Sequence, residues 1–219
     1  MKFNLTEVEN KIGYHFKDAE ILKVAFSHAS FTNEKRGEKN NERIEFLGDS
    51  VLGFVVADFL FQNTTQDEGD MTSIKQSIVS CKPLVNACNE LKIYENLLVG
   101  DKVSVTDKLK ENLMESVIGA IYLDGGIEEA RSFIYKNLIL PNVERKEIFI
   151  DYKSKINELS SKKRFSVSYE LVEKIGTDNN PTHTVSIVIN GKVLATATAN
   201  GKRQNAEQLV AKIALEKIK

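Results

Sequence analysis

Asn41-Glu42-Arg43-Ile44-Glu45-Phe46-Leu47-Gly48-Asp49-Ser50-Val51-Leu52 is the stretch on which both fold and chemistry turn. Glu42, Glu45 and Asp49 stand at i, i+3 and i+7, so a helix puts all three on one face. Ile44, Phe46, Leu47, Val51 and Leu52, continued by Phe54, Val55 and Val56, carry enough apolar surface to bury most of that helix. Like charges one turn apart cost about a few tenths of a kcal/mol when exposed. Buried without a partner they cost several times more or take up a proton. Something cationic is therefore expected to face them. Glu42 taken alone reads equally well as a solvated carboxylate near a helix N-terminus, where the dipole suits it.

A second stretch, Asn112-Leu113-Met114-Glu115-Ser116-Val117-Ile118-Gly119-Ala120-Ile121-Tyr122, repeats the pattern. Asn112 and Glu115 share a face at i, i+3 on an almost wholly apolar helix. One carboxylate in such a place is commonly a hydrogen-bonded core or capping Glu. Two apolar helices that each present oxygen ligands point instead to a hard cation such as Mg²⁺, which keeps several of its waters.

Outward from these stretches, the chain to about Pro141 reads as helical throughout. Apolar residues recur at helical spacing in Ile21–Phe31, Ile44–Phe61, Ile74–Leu91, Leu113–Leu123 and Ile127–Leu138. Turn residues fall at Asn33–Asn41, Thr64–Asp70, Gly100 and Asp124-Gly125-Gly126, which gives six to eight helices. Residues 141–150 are polar at their start and lose the periodicity, as a linker does. The remainder changes character. Asp151–Ser161 is a short helix with Tyr152, Ile156 and Leu159 on one side, and Phe165, Val167 and Tyr169 then alternate with polar residues. A strand over Thr184–Ile189, the hairpin signal Asn190-Gly191, a returning strand Val193–Ala199 and a helix Gln204–Ile218 complete an α-β-β-β-α order. On that helix Ala206, Leu209, Val210, Ile213, Ala214 and Ile218 form the expected core stripe.

Composition limits the alternatives. With 219 residues, 42% hydrophobic and 28% charged, the chain can pack two small domains, and disorder is excluded as the main description. Cys81 and Cys88 are too few for a disulfide framework and read as small core side chains. The start lacks an apolar signal segment, and no apolar run approaches the roughly 18 residues that span a bilayer. The expectation is a soluble, cytoplasmic protein with no membrane partner. Net charge is −1, but its division is uneven: residues 151–219 carry 12 Lys+Arg against 7 Asp+Glu, and residues 1–150 carry 18 against 24. A basic tail joined to an acidic module is the footprint of phosphate contact.

Asn41–Leu52 resembles the signature peptide of ribonuclease III, the endonuclease of double-stranded RNA. Ser27-His28-Ala29-Ser30, Glu68-Gly69 and Glu115–Tyr122 with Leu123-Asp124-Gly125-Gly126 extend the resemblance, and the α-β-β-β-α tail is similar to a double-stranded RNA-binding domain. The resemblance implies a helical nuclease and dimerisation domain over 1–140, a linker over 141–150 and an RNA-binding domain over 151–219. It implies hydrolysis of phosphodiester bonds by a homodimer, leaving 5′-phosphates and short 3′ overhangs, in processing of rRNA and mRNA precursors. Mg²⁺ is the implied cofactor, with Mn²⁺ as a substitute, held by Glu45, Asp49, Asn112 and Glu115; Asp49 and Glu115 are the catalytic pair. Glu42 and Glu68 match positions that shape the cleft and dimer contacts. Phe46 matches an aromatic that packs into the partner subunit, although a core Phe fits its sequence equally. His28 reads as structural.

This chain departs from the pattern at Asn112, where the family has Asp. A neutral carbonyl oxygen keeps the geometry and removes one negative charge, and Glu111, about 100° away on an ideal helix, is a poor substitute. In the tail, the resemblance places Asn157 and Glu158 in the minor groove, together with Thr177 and Asn179 from the loop Gly176–Pro181. Lys202, Arg203 and Gln204 would hold phosphates at the start of the last helix. Lys162-Lys163-Arg164 reads as a solvated turn and His183 as a partly buried structural histidine. The competing reading is a protein that binds double-stranded RNA with weak or no cleavage because of Asn112. A helical hydrolase of small phosphates would not need the basic tail.

Overall fold

The structure, a computed structural model, describes residues 3–33, 38–144, 150–177 and 180–218. The chain divides into two compact units, 1–62 with 66–149, and 63–65 with 150–219.

The first unit is helical: α1 (Leu5–Ile12), α2 (Ala19–Ala25), α3 (Ala29–Thr32), α4 (Glu42–Asn63), α5 (Glu68–Val79), α6 (Cys81–Leu91), α7 (Asp107–Gly125), α8 (Ile127–Ile134) and α9 (Leu140–Glu144). Among the described residues nine α-helical segments, beside the 3₁₀ turn Ile93–Asn96 and the π-helical turn Tyr135–Ile139, exceed the six to eight expected, in part because the apolar run Ile74–Leu91 breaks at Ser80, whose extended backbone ends α5 and begins α6. Thr64–Asp70 is not all turn either. Asp67 caps α5, its Oδ1 accepting from the Asp70 amide at 2.9 Å, so Glu68 and Gly69 are already helical. The expected linker also starts too early: Pro141–Glu144 continues as α9, with Asn142 buried and its amide donating to the Leu138 carbonyl. α9 follows without a break on a π-helical turn, Tyr135–Ile139, and Pro141 falls where the hydrogen-bond ladder has already shifted to i→i−5, so it does not end the helix. Residues 145–149 lie outside the described residues.

Buried Leu52, Val55 and Val56 of α4 and an unbroken buried run from Leu113 to Ile121 of α7 form the middle of the core. Leu22, Phe26, Ile78, Leu84 and Ile134 pack in the same cluster. Asp124 ends α7 as a tie: its Oδ2 accepts from the Tyr14 hydroxyl (2.7 Å) and the Lys17 amide (3.0 Å), and its Oδ1 from the Asp18 amide (2.9 Å).

The second unit runs α10 (Tyr152–Lys163), β1 (Val167–Thr177), β2 (Asn180–Ile189), β3 (Lys192–Asn200) and α11 (Arg203–Lys217), with the antiparallel sheet in the order β1-β2-β3. Asn190 and Gly191, at φ 50° and 74°, make the tight turn expected between β2 and β3. Ile156, Val185, Ile187, Ala195, Ala197, Ala206, Val210 and Ala214 form the core. Two expectations change. The loop proposed over Gly176–Pro181 is mostly strand, Thr177 pairing with Asn180, and residues 178 and 179 lie outside the described residues. On α11, Leu209 is partly exposed while Gln208 is buried, its amide donating to Asp151 Oδ1 (3.0 Å) and its carbonyl accepting from the Lys153 amide (3.2 Å).

Candidate active site

Glycine brings α4 and α7 together. A Cβ added to Gly48 would stand 1.8 Å from the Glu115 carbonyl oxygen, and one added to Gly119 would stand 2.3 Å from that of Ile44. The two backbones therefore touch where any side chain would hold them apart. A buried relay supports the crossing: the Asn41 amide donates to Ser116 Oγ (3.1 Å), and that hydroxyl donates to the Asn112 carbonyl (2.8 Å).

The crossing unites Glu45, Asp49, Asn112 and Glu115. Burial raises the Glu115 carboxyl to about 7, and the charges of Asp49 and Glu45 add to the rise. Glu45 is half-buried; burial raises its pKa, and Glu42 and Glu111 push in the same direction. Lys108 and the donating Asn112 amide oppose that rise. Lys108, which ion-pairs with Glu111 at 3.0 Å, is the cation that the acidic face required. It was missed in the sequence, although Lys108, Asn112 and Glu115 stand at i, i+4 and i+7.

These residues fit a hard cation. Asn112 Oδ1 is buried and has no hydrogen-bond partner, an oxygen ready to accept a cation or its water. Among the described residues no three His, Cys, Asp or Glu side chains stand close enough to ligate one ion together. A cation that keeps most of its waters needs only one or two direct carboxylates. Glu42 is exposed at the start of α4, beside the Asn40 amide (3.1 Å). Glu68 is exposed on α5, accepting from Thr72 at 3.2 Å. Phe46 is 78% exposed, which rules out the core reading within this chain. His28 is structural as expected, its Nδ1 accepting from the Ser30 amide at 3.2 Å.

In the second unit Asn157, Glu158, Thr177, Lys202, Arg203 and Gln204 are all exposed; Asn179 lies outside the described residues. Lys202 occupies the cap position of α11 with no capping bond from its side chain. Arg203 is already engaged, through Nε to Glu207 (2.8 Å) and Nη2 to the Tyr169 carbonyl (3.2 Å). His183 is buried, with Nδ1 2.8 Å from the Gly201 carbonyl, in keeping with a structural role.

Residues 18–142 match the ribonuclease-III-like family model, and residues 152–218 match the double-stranded RNA binding motif. The Ribonuclease 3 of Treponema denticola is 39% identical, over 99% of this chain and 92% of its own. That of Campylobacter concisus is 35% identical, over 99% of each. A crystal structure of the nuclease domain of ribonuclease III from Campylobacter jejuni superposes with a TM-score of 0.54 at 32% identity, covering 69% of this chain and 100% of its own. A second structure of that domain, described for flexibility in a region involved in dimer formation, gives the same TM-score of 0.54 over 61% of this chain. With both modules matched in order and relatives aligned from end to end, this chain belongs to the ribonuclease III family of double-stranded RNA endonucleases.

Proposed function

We propose that the α4–α7 crossing is the catalytic centre and that it hydrolyses double-stranded RNA, leaving 5′-phosphates and short 3′ overhangs. One observation carries this reading: Glu45, Asp49 and Glu115 share one electrostatic field beside a buried, unpartnered Asn112 oxygen. When bound, Mg²⁺ (or Mn²⁺ in its place) supplies a water of lowered pKa and positive charge against the phosphate. Glu45, Asp49, Glu115 and Asn112 are the residues that would hold it. Burial first, and then the charges of Asp49 and Glu45, raise the Glu115 pKa to about 7, and a cation held beside it would favour its carboxylate form. Glu42 and Glu68 are assigned to the rim.

The exposed Phe46, with Phe54 and Phe61 also exposed on α4, supports a homodimer in which each subunit cuts one strand. Residues 151–219 form the RNA-binding module, and the helices up to Glu144 form the nuclease. Asn157, Glu158, Thr177 and Asn179 are assigned to the minor groove, and Lys202, Arg203 and Gln204 to phosphates. No helix among the described residues is long and apolar enough to cross a membrane, and the proposed setting is the cytoplasm, with rRNA and mRNA precursors as substrates. Incubating the full chain with long RNA and DNA duplexes, in Mg²⁺ or EDTA, tests the reading. Cleavage of RNA alone, and only with Mg²⁺, is expected. Binding without cleavage would support the alternative set by Asn112, and cleavage in EDTA would contradict the metal site.

A further inference from the structure

Lys108 stands where helix electrostatics disfavour it. It is the second residue of α7, in the first turn, at the positive end of the helix dipole. Its side chain is 67% exposed, and its ammonium meets the largely buried Glu111 carboxylate at 3.0 Å. From the same helix it faces Glu115, and across the crossing it faces Glu45. Three carboxylates, Glu45, Glu111 and Glu115, thus share the Lys108 cation, and Asp49 acts on the same Glu115. Asn112 lies between Lys108 and Glu115 on this face and contributes no charge.

We propose that Lys108 is a tethered counter-cation: it neutralises the carboxylate face in the metal-free protein and competes with a divalent ion for it, so that it sets the ion's affinity. The inference rests on the metal site proposed above. A fixed positive charge lowers the field that a second cation feels, and a neutral ligand at 112 acts in the same direction. Lys108 and Asn112 together make this face less negative by two charges than Asp at 112 with an uncharged residue at 108. Both features therefore weaken cation binding, and removing either should strengthen it.

Calorimetric titration of the full chain with Mg²⁺ alone, without RNA and at low ionic strength, tests this. Lys108→Gln should bind Mg²⁺ about fivefold more tightly, the scale on which one unit charge acts on a divalent ion across a water-like dielectric about 8 Å wide. Lys108→Arg, which keeps the charge, should match the wild type. In EDTA, Lys108→Gln should melt at a lower temperature, and saturating Mg²⁺ should raise its melting point by more than it raises that of the wild type. Unchanged or weaker Mg²⁺ binding in Lys108→Gln would overturn the proposal, as would weakened RNA binding with Mg²⁺ affinity unmoved, which would make Lys108 a phosphate contact. Glu115→Gln is the control that separates the two levels: if it binds Mg²⁺ like the wild type, the site itself is misplaced, whatever Lys108 does.

Discussion

Gly48→Ala perturbs the feature from which the site is built. Its new Cβ would lie 1.8 Å from the Glu115 carbonyl oxygen, 2.7 Å from the carbonyl carbon and 2.9 Å from the Gly119 nitrogen. All three are backbone atoms, so no side chain can turn away, and α4 and α7 must separate by about 1 Å or more. Overpacking of this kind costs roughly 3 kcal/mol. Alanine's better helix propensity returns about 1 kcal/mol, leaving a net loss of about 2. For a helical unit of this size, that corresponds to a melting temperature lower by roughly 6–10 °C. The chemical effect is larger, because Glu45 and Asp49 move away from Asn112 and Glu115, and a misplacement of about 1 Å costs on the order of 100-fold in rate. Gly53→Ala in the same helix is the control, since nothing lies within 4 Å of its added Cβ. Thermal unfolding in EDTA and single-turnover cleavage of an RNA duplex check both numbers. A Gly48→Ala protein that melts and cleaves like Gly53→Ala would refute the backbone crossing as the source of the site.

Three further outcomes are expected. Glu115 has a folded pKa of about 7 against an ordinary 4.5, so the native state binds the extra proton between those values and the metal-free protein loses stability as pH rises through that window. The loss, about 3 kcal/mol at most, should disappear in Glu115→Gln, and urea unfolding in EDTA at pH 5 and pH 8 measures it. Asn112→Asp should lower the Mg²⁺ midpoint for cleavage by roughly three- to tenfold with saturated activity similar or higher; an unmoved midpoint on folded protein would remove Asn112 from the ligand set. Lys202→Gln should weaken duplex RNA binding and reduce the slope of log affinity against log salt by about 1. Arg203→Gln should weaken RNA binding and lower thermal stability as well, because Arg203 also holds Glu207 and the Tyr169 carbonyl.

Much of this was legible in the sequence, for identifiable reasons. The i, i+3, i+7 spacing of Glu42, Glu45 and Asp49 on an apolar helix fixes a face without any tertiary information, and Asn190-Gly191 specifies its own turn. Features that depend on a neighbour were not legible. Gly48 and Gly119 look like ordinary helix glycines until the partner backbone is present. Lys108 looks like a solvated first-turn lysine until Glu45 faces it. Gln208 and Asn142 are polar by type and were left outside the core, yet hydrogen bonds to Asp151 and the Leu138 carbonyl make their burial tolerable. Phe46 could not be assigned from spacing, because an apolar residue on a helix says only that something covers it, not whether the cover is the same chain.

The most direct test of the central claim is end analysis of the fragments that the full chain makes from a long RNA duplex in Mg²⁺, with Asp49→Ala and Glu115→Gln measured beside it. Short duplexes with 5′-phosphates and recessed 5′ ends are predicted for the wild type. Both variants should give no fragments and bind the duplex with affinity near that of the wild type. Fragments with 3′-phosphates or cyclic phosphates, or full cleavage by either variant, would contradict hydrolysis by a water activated at the α4–α7 crossing.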